Sequence, residues 1–187
     1  MGSPLDVLHS ATADDTADSA RWRTPPEVFS PLRARYRIGL DACAMADSAL
    51  VPWWIGPDHP NPRRRDALTA DWSRLRGPGG GGAWMNPPYS DVGRFIAAAN
   101  RNASPAMPVV CLVFARVETL WWHEIVWPRA SDVVFVKGRI HFLRGTGEDA
   151  GPAPAPSVVI VFAGADPDPR GPRCSTWRPG DPLPLPG

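Results

Sequence analysis

The sequence predicts a single α/β domain built on a buried sheet with helices on both faces. Three observations carry this prediction. The runs Val109–Phe114 and Ser157–Phe162 are apolar throughout, as strands covered on both faces are. Residues 92–100 place Val92, Phe95, Ile96 and Ala99 on one side of a helix. Strand and helix signals then alternate along the chain, the order expected of an α/β sheet. With 187 residues, 43% of them hydrophobic, the chain has material for one sizeable core.

Residues 1–20 are small and polar and read as a flexible lead-in. Order is expected over 21–164. In Thr24-Pro25-Pro26-Glu27, Thr24 is the expected N-cap, Pro25 the first helical residue and Glu27 the capping-box partner. A helix to about Arg35 follows, then a strand over residues 36–42 that ends on Asp41. Trp53-Trp54-Ile55 reads as a short strand, and residues 56–65 as a Pro-rich loop closing on Arg63-Arg64-Arg65. Residues 77–82 are nearly all glycine without a phosphate-binding pattern and read as a flexible surface loop. Ala83-Trp84-Met85 is a short strand running into Asn86-Pro87-Pro88-Tyr89. A helix is expected over 119–126 and strands over 132–136 and 140–142. The 24 prolines crowd three stretches, one of them beyond Asp166, so residues 165–187 are expected to be a disordered tail.

A formal charge of +1 excludes a global polyanion-binding signature, so any nucleic-acid contact must come from local basic clusters. The three cysteines have no metal-ligand spacing, and no metal site is expected. No signal peptide or membrane-length apolar run is visible, so the expected setting is cytoplasmic, without a membrane partner. Nothing in the sequence specifies an oligomeric state.

In an open α/β sheet, ligands bind at the carboxyl ends of strands. Asn86-Pro87-Pro88-Tyr89 stands at such an end. Its prolines stiffen the turn and remove two backbone donors. The Asn86 side-chain oxygen and the Pro87 carbonyl then offer two acceptors beside the flat ring of Tyr89. Two acceptors beside an aromatic face suit an exocyclic amine: both hydrogens donated, the nitrogen lone pair is freed for attack. Such catalysis is mainly orientation and electrostatics. Arg63, Arg64 and Arg65, with Arg139, are candidate phosphate contacts.

The wider pattern is more specific. Trp22-x-Thr24-Pro25-x-x-x-Phe29, Leu40-Asp41-x-x-Ala44, Asp66-x-Leu68-x-x-x-Trp72, Trp84-x-Asn86-Pro87-Pro88-Tyr89-Ser90 and Gly138-Arg139-Ile140-x-Phe142 follow in order from Trp22 to Phe162. This pattern resembles the phage-type DNA N-6-adenine-methyltransferase (Dam) family. The resemblance implies a Rossmann-like class I methyltransferase sheet, S-adenosyl-L-methionine as cofactor, double-stranded DNA as partner, and phage or prophage origin. It implies catalytic roles for Asn86, Pro87, Pro88 and Tyr89, and cofactor contacts from Trp22, Thr24, Pro25, Asp41, Ala42, Asp66 and Asn86. Phe142 falls where related enzymes set an aromatic ring against the flipped base. The turn Asp41-Ala42-Cys43-Ala44 departs from the usual pattern in having no glycine. An amino-methyltransferase acting on RNA or protein glutamine, and a nucleic-acid-binding module without turnover, are the competing readings.

Overall fold

The computed structural model describes residues 22–144, 147–164, 168 and 170–184, so the segment 1–20 lies outside the described residues. Its centre is a six-stranded, mostly parallel sheet. The strands are β1 (Leu40–Asp41), β2 (Ala83–Met85), β3 (Val109–Phe114), β4 (Asp132–Val136), β7 (Ser157–Phe162) and β8 (Arg173–Trp177), in the spatial order β1-β2-β3-β7-β4-β8. β7 alone runs antiparallel to its neighbours β3 and β4. A separate hairpin joins β5 (His141–Leu143) to β6 (Asp149–Pro152).

Period-two alternation along β3 sorts the core into two layers. Val109, Cys111 and Val113 pack with Ile96 and Ala99 of α2 (Val92–Asn102) and with Trp122 and Val126. Val110, Leu112 and Phe114 pack with Val28, Phe29 and Leu32 of α1 (Pro26–Tyr36) and with Phe142 and Trp177. The sheet is therefore covered on both faces, which explains why β3 and β7 are apolar at every position. The amphipathic spacing read over 92–100 extends two residues further before α2 ends at Asn102.

Several elements differ from the sequence reading. Pro25, not Thr24, precedes α1; its carbonyl accepts the N–H groups of Val28 and Phe29 at 3.0 and 3.1 Å, and no side chain caps the helix. The expected strand over 36–42 shrinks to Leu40–Asp41, because α1 continues to Tyr36 and Arg37 adopts the left-handed conformation. The glycine run is held tightly, with Gly82 N–H on the Tyr36 carbonyl at 3.0 Å and Gly39 N–H on the Gly82 carbonyl at 2.9 Å. The helix expected over 119–126 is a π-helical turn, Trp122–Val126, leading into α3 (Trp127–Arg129). The strand expected over 140–142 belongs to the hairpin rather than to the main sheet.

The expectation of a disordered tail fails for Arg173–Trp177, which pairs in parallel with all of β4. Arg173 clasps Asp132 from this strand through Nε and Nη2 at 2.8 and 3.1 Å. Trp177, fully buried, donates its indole N–H to the Asp181 carbonyl at 2.9 Å. Composition hid this strand because its neighbours are prolines; the ion pair and the tryptophan hold it.

Candidate active site

β1, β2 and β3 are parallel, so their carboxyl ends share one edge of the sheet. A cavity of about 320 Å³ opens there, within the size range of small-ligand sites. Its lining brings together Trp22, Thr24, Asp41, Ala42, Asp66, Asn86, Pro87 and Pro88, residues drawn from four separate stretches of chain. Arg65 reaches it from the Pro-rich loop, where its Nε is fixed on the His59 carbonyl at 2.7 Å.

The segment 22–24 is placed from a distance. Arg23 exchanges both backbone hydrogen bonds with Leu143 of β5, at 2.8 and 3.0 Å. That pairing lays the Trp22 ring on Phe142, with centroids 5.3 Å apart and planes 22° apart. Thr24 then meets Asn86, whose Nδ2 donates to the Thr24 hydroxyl at 3.4 Å.

Asp41 is buried at the end of β1. Its two carboxylate oxygens accept the N–H groups of Cys43 at 3.3 Å and Leu50 at 3.1 Å, and no cation is paired with it. Burial dominates over these two bonds and pushes its pKa up to about 6. Asp66 is exposed and accepts from the Leu68 N–H at 2.9 Å and the Thr69 hydroxyl at 2.7 Å, which holds its carboxyl below the usual carboxylate range. The glycine-free turn is accommodated without strain, since Arg37 is the only non-glycine at positive φ among the described residues. Beside this turn, Gly56 packs directly on the Ala44 carbonyl, where a Cβ would stand 1.7 Å from its oxygen.

Buried side-chain polar atoms nearly always find a partner, and leaving one without costs about 1–3 kcal/mol. Among the described residues, those lacking one are Trp22 Nε1, Arg23 Nε, Asn86 Oδ1, the Tyr89 hydroxyl and Ser157 Oγ. All five gather at this edge. Trp22, Arg23 and Asn86 line the cavity. Tyr89 follows in the same motif and stacks flat on Phe114 at 3.8 Å and 3°, and Ser157 stands opposite Phe114 in the β3–β7 register. Desolvation raises the pKa of the Tyr89 phenol, which favours its neutral form.

Other residues singled out in the sequence lie elsewhere. Tyr89 is outside the cavity lining, with one ring face taken by Phe114. Pro25 is also outside it, at the start of α1. Phe142 is fully buried beneath Trp22, whose ring stacks on it, rather than exposed in the cavity. Arg64 differs from the exposed cation expected: it is buried with its guanidinium 4.7 Å over the Trp53 ring. Arg63 and Arg139 are exposed, the latter bonded to the Ala153 carbonyl at 2.9 Å. The sequence reading missed Arg23, Ile55, Gly56 and Phe95 in the lining. Arg23 had an available signal, its place between two assigned residues; the others reach the cavity only through folding.

Among the described residues, no group of three or more His, Cys, Asp or Glu side chains is arranged to hold a metal ion. None of their helices is long and apolar enough to cross a membrane.

Two comparisons with known proteins place the chain in a family. The DNA N-6-adenine-methyltransferase of Haemophilus phage HP1 (strain HP1c1) is 30% identical over 151 residues, covering 78% of this chain and 80% of its own. The family model described as "DNA N-6-adenine-methyltransferase (Dam)" matches residues 9–172. The chain therefore belongs to the DNA N-6-adenine-methyltransferase family.

Proposed function

We propose that this enzyme transfers a methyl group from S-adenosyl-L-methionine to the N6 amine of adenine in double-stranded DNA, with the cavity holding the donor and Asn86–Tyr89 presenting the base. The observation that carries the reading is the cluster of unpartnered polar groups around one apolar-walled cavity at the carboxyl ends of β1 and β2. On this reading the sheet is of the class I methyltransferase type, its donor site at the strand ends where open α/β sheets bind ligands.

The residues present fit the donor. Ala42, Ile55, Leu68 and Phe95 supply apolar wall for an adenine ring. Asp41 and Asp66 supply acceptors for amine and hydroxyl groups. Trp22 Nε1 and the Arg23 guanidinium supply donors for a carboxylate, each with a buried nitrogen awaiting a partner. When bound, S-adenosyl-L-methionine supplies an electrophilic methyl carbon, to which the adenine N6 bonds as the carbon–sulfur bond breaks with its electron pair left on sulfur.

Asn86 does the orienting. Its Nδ2 donates to Thr24, and its buried Oδ1 has no partner in the folded protein, which leaves it as the acceptor for the amine. Oδ1 accepts one amine hydrogen and the Pro87 carbonyl accepts the other. Tyr89, backed by Phe114, offers its remaining face to the base. No charged base is needed, because the amine releases its proton to water after the methyl has moved. Arg63 and Arg139, both exposed, contact phosphates and make binding salt-dependent. Base extrusion costs about a few kcal/mol, recovered in stacking and hydrogen bonds at the site. Three unpaired cysteines accord with work in the reducing cytoplasm of a bacterial host.

The test is transfer of labelled methyl from S-adenosyl-L-methionine to unmethylated duplex DNA, to RNA and to protein in parallel, followed by nucleoside analysis. The expected product is N6-methyladenine in DNA. Label confined to RNA or to protein glutamine would refute the assignment.

A further inference from the structure

Beyond β3 the chain presents apolar side chains to solvent beside the acceptor motif. Val117 is 45% exposed and Leu120 76% exposed, the latter the most exposed large hydrophobic residue described. Single exposed hydrophobics are ordinary. This pair differs in being held by an ordered turn at a functional edge. The Thr119 hydroxyl and N–H both donate to the Arg116 carbonyl, at 2.7 and 3.2 Å, and the Trp122 N–H donates to the Thr119 carbonyl at 3.1 Å. Next to Leu120, Trp121 seats against Gly93, its Cδ1 only 3.2 Å from where a Cβ would stand, so α2 and the turn are locked together. At the other end Phe114 stacks on Tyr89. The turn thus springs from the same sheet edge as Asn86–Tyr89, tied to the motif through Phe114 and to α2 through Trp121.

We infer that Val117 and Leu120 form a wedge that enters the base stack of the duplex at the target step and fills the space the extruded adenine leaves. The inference rests on the functional reading above and deepens it. Proteins that unstack DNA insert apolar side chains of this kind between base steps, where they replace lost stacking. Arg116, exposed at the root of the turn and 3.9 Å from Glu118, is free to exchange that loose pairing for a backbone phosphate. A rigid turn is needed for this task, because a mobile one would lose to entropy what it gained in contact.

The test uses the full chain and a synthetic duplex whose methylated adenine has first been mapped by sequencing plasmid DNA treated with the enzyme. Two versions of the duplex are compared, with the target adenine paired to thymine or facing an abasic site. An unpaired adenine needs little help to leave the stack, so the Val117→Ala, Leu120→Ala double variant should lose roughly tenfold or more in kcat/KM on the paired duplex and stay within about threefold of wild type on the abasic one. Affinity for S-adenosyl-L-methionine should be unchanged, and Leu120→Met should retain most of the wild-type rate. Equal losses on both duplexes, or no loss on the paired one, would overturn the wedge while leaving the site intact. Wild-type enzyme that methylates adenine in neither duplex would overturn the reading of the site and the wedge with it.

Discussion

Two ends of the same sheet treat buried polar groups in opposite ways. At the β4–β8 edge, Asp132 is clasped through two bonds by Arg173 and accepts a third from the Ser131 hydroxyl at 2.9 Å. At the carboxyl edge of β1 and β2, Asp41 is buried without a cation among the described residues, and three side-chain atoms of the same cavity lining, Trp22 Nε1, Arg23 Nε and Asn86 Oδ1, lack any partner. One edge is complete as folded; on the proposed function, the other is completed by what it binds. The contrast separates groups kept for stability from groups kept for function, on physical grounds and within one domain.

Exchanging the roles of the two edges breaks the comparison most sharply at Asn86. Asn86→Ala removes the acceptor that the proposed function uses in the transition state, and the expected loss is about 10²–10³ in kcat, the scale measured for single oxyanion-hole donors. Steady-state kinetics check it, with melting lowered only slightly, because Oδ1 has no partner to lose and the one bond lost is the long Nδ2–Thr24 contact at 3.4 Å.

The next largest effect is the pH dependence of stability at Asp41. Its pKa is raised in the folded state to about 6, so between about pH 4 and pH 6 the folded protein holds a proton that the unfolded chain has released. Stability therefore falls as pH rises through that window and levels off above it, by on the order of 3 kcal/mol. Denaturant unfolding of wild type and Asp41→Asn across this range should show the slope only in wild type; parallel curves would remove Asp41 from the account.

At the other edge, Arg173→Ala should cost about 1–2 kcal/mol, between the values for exposed and buried pairs, because the arginine is half exposed while Asp132 is nearly buried. The expected readout is a lower melting temperature at unchanged turnover per folded molecule.

The smallest effect sharpens the contrast within the motif. Tyr89→Phe deletes a buried hydroxyl that has no partner and keeps the ring on Phe114. Stability should change by less than about 1 kcal/mol, and in the stabilising direction. A marked loss of turnover in this variant would assign the hydroxyl a contact to the substrate.

Much of this was legible in the sequence, for identifiable reasons. Buried strands such as Val109–Phe114 announce themselves by unbroken apolar runs, and α2 by its spacing. Asn86–Tyr89 was legible because two prolines after a strand leave acceptors and no donors. What escaped depends on contacts distant in the chain. Arg173–Trp177 reads as tail until Asp132 is seen beside it. Arg64 reads as a free cation until Trp53 lies under it. Phe142 reads as a site aromatic until β5 places it beneath Trp22. Gly56, twelve positions past Ala44, packs directly on the Ala44 carbonyl, a contact visible only in the folded chain.

The central claim is that the unsatisfied edge binds the methyl donor and the satisfied edge does not. Calorimetric titration of S-adenosyl-L-methionine into wild type, Asp41→Ala and Arg173→Ala tests it most directly. The account predicts that Asp41→Ala weakens binding by about 10- to 100-fold, the worth of a hydrogen bond to a charged group, while Arg173→Ala binds as wild type does. Equal affinity in all three proteins, or a loss confined to Arg173→Ala, would contradict it.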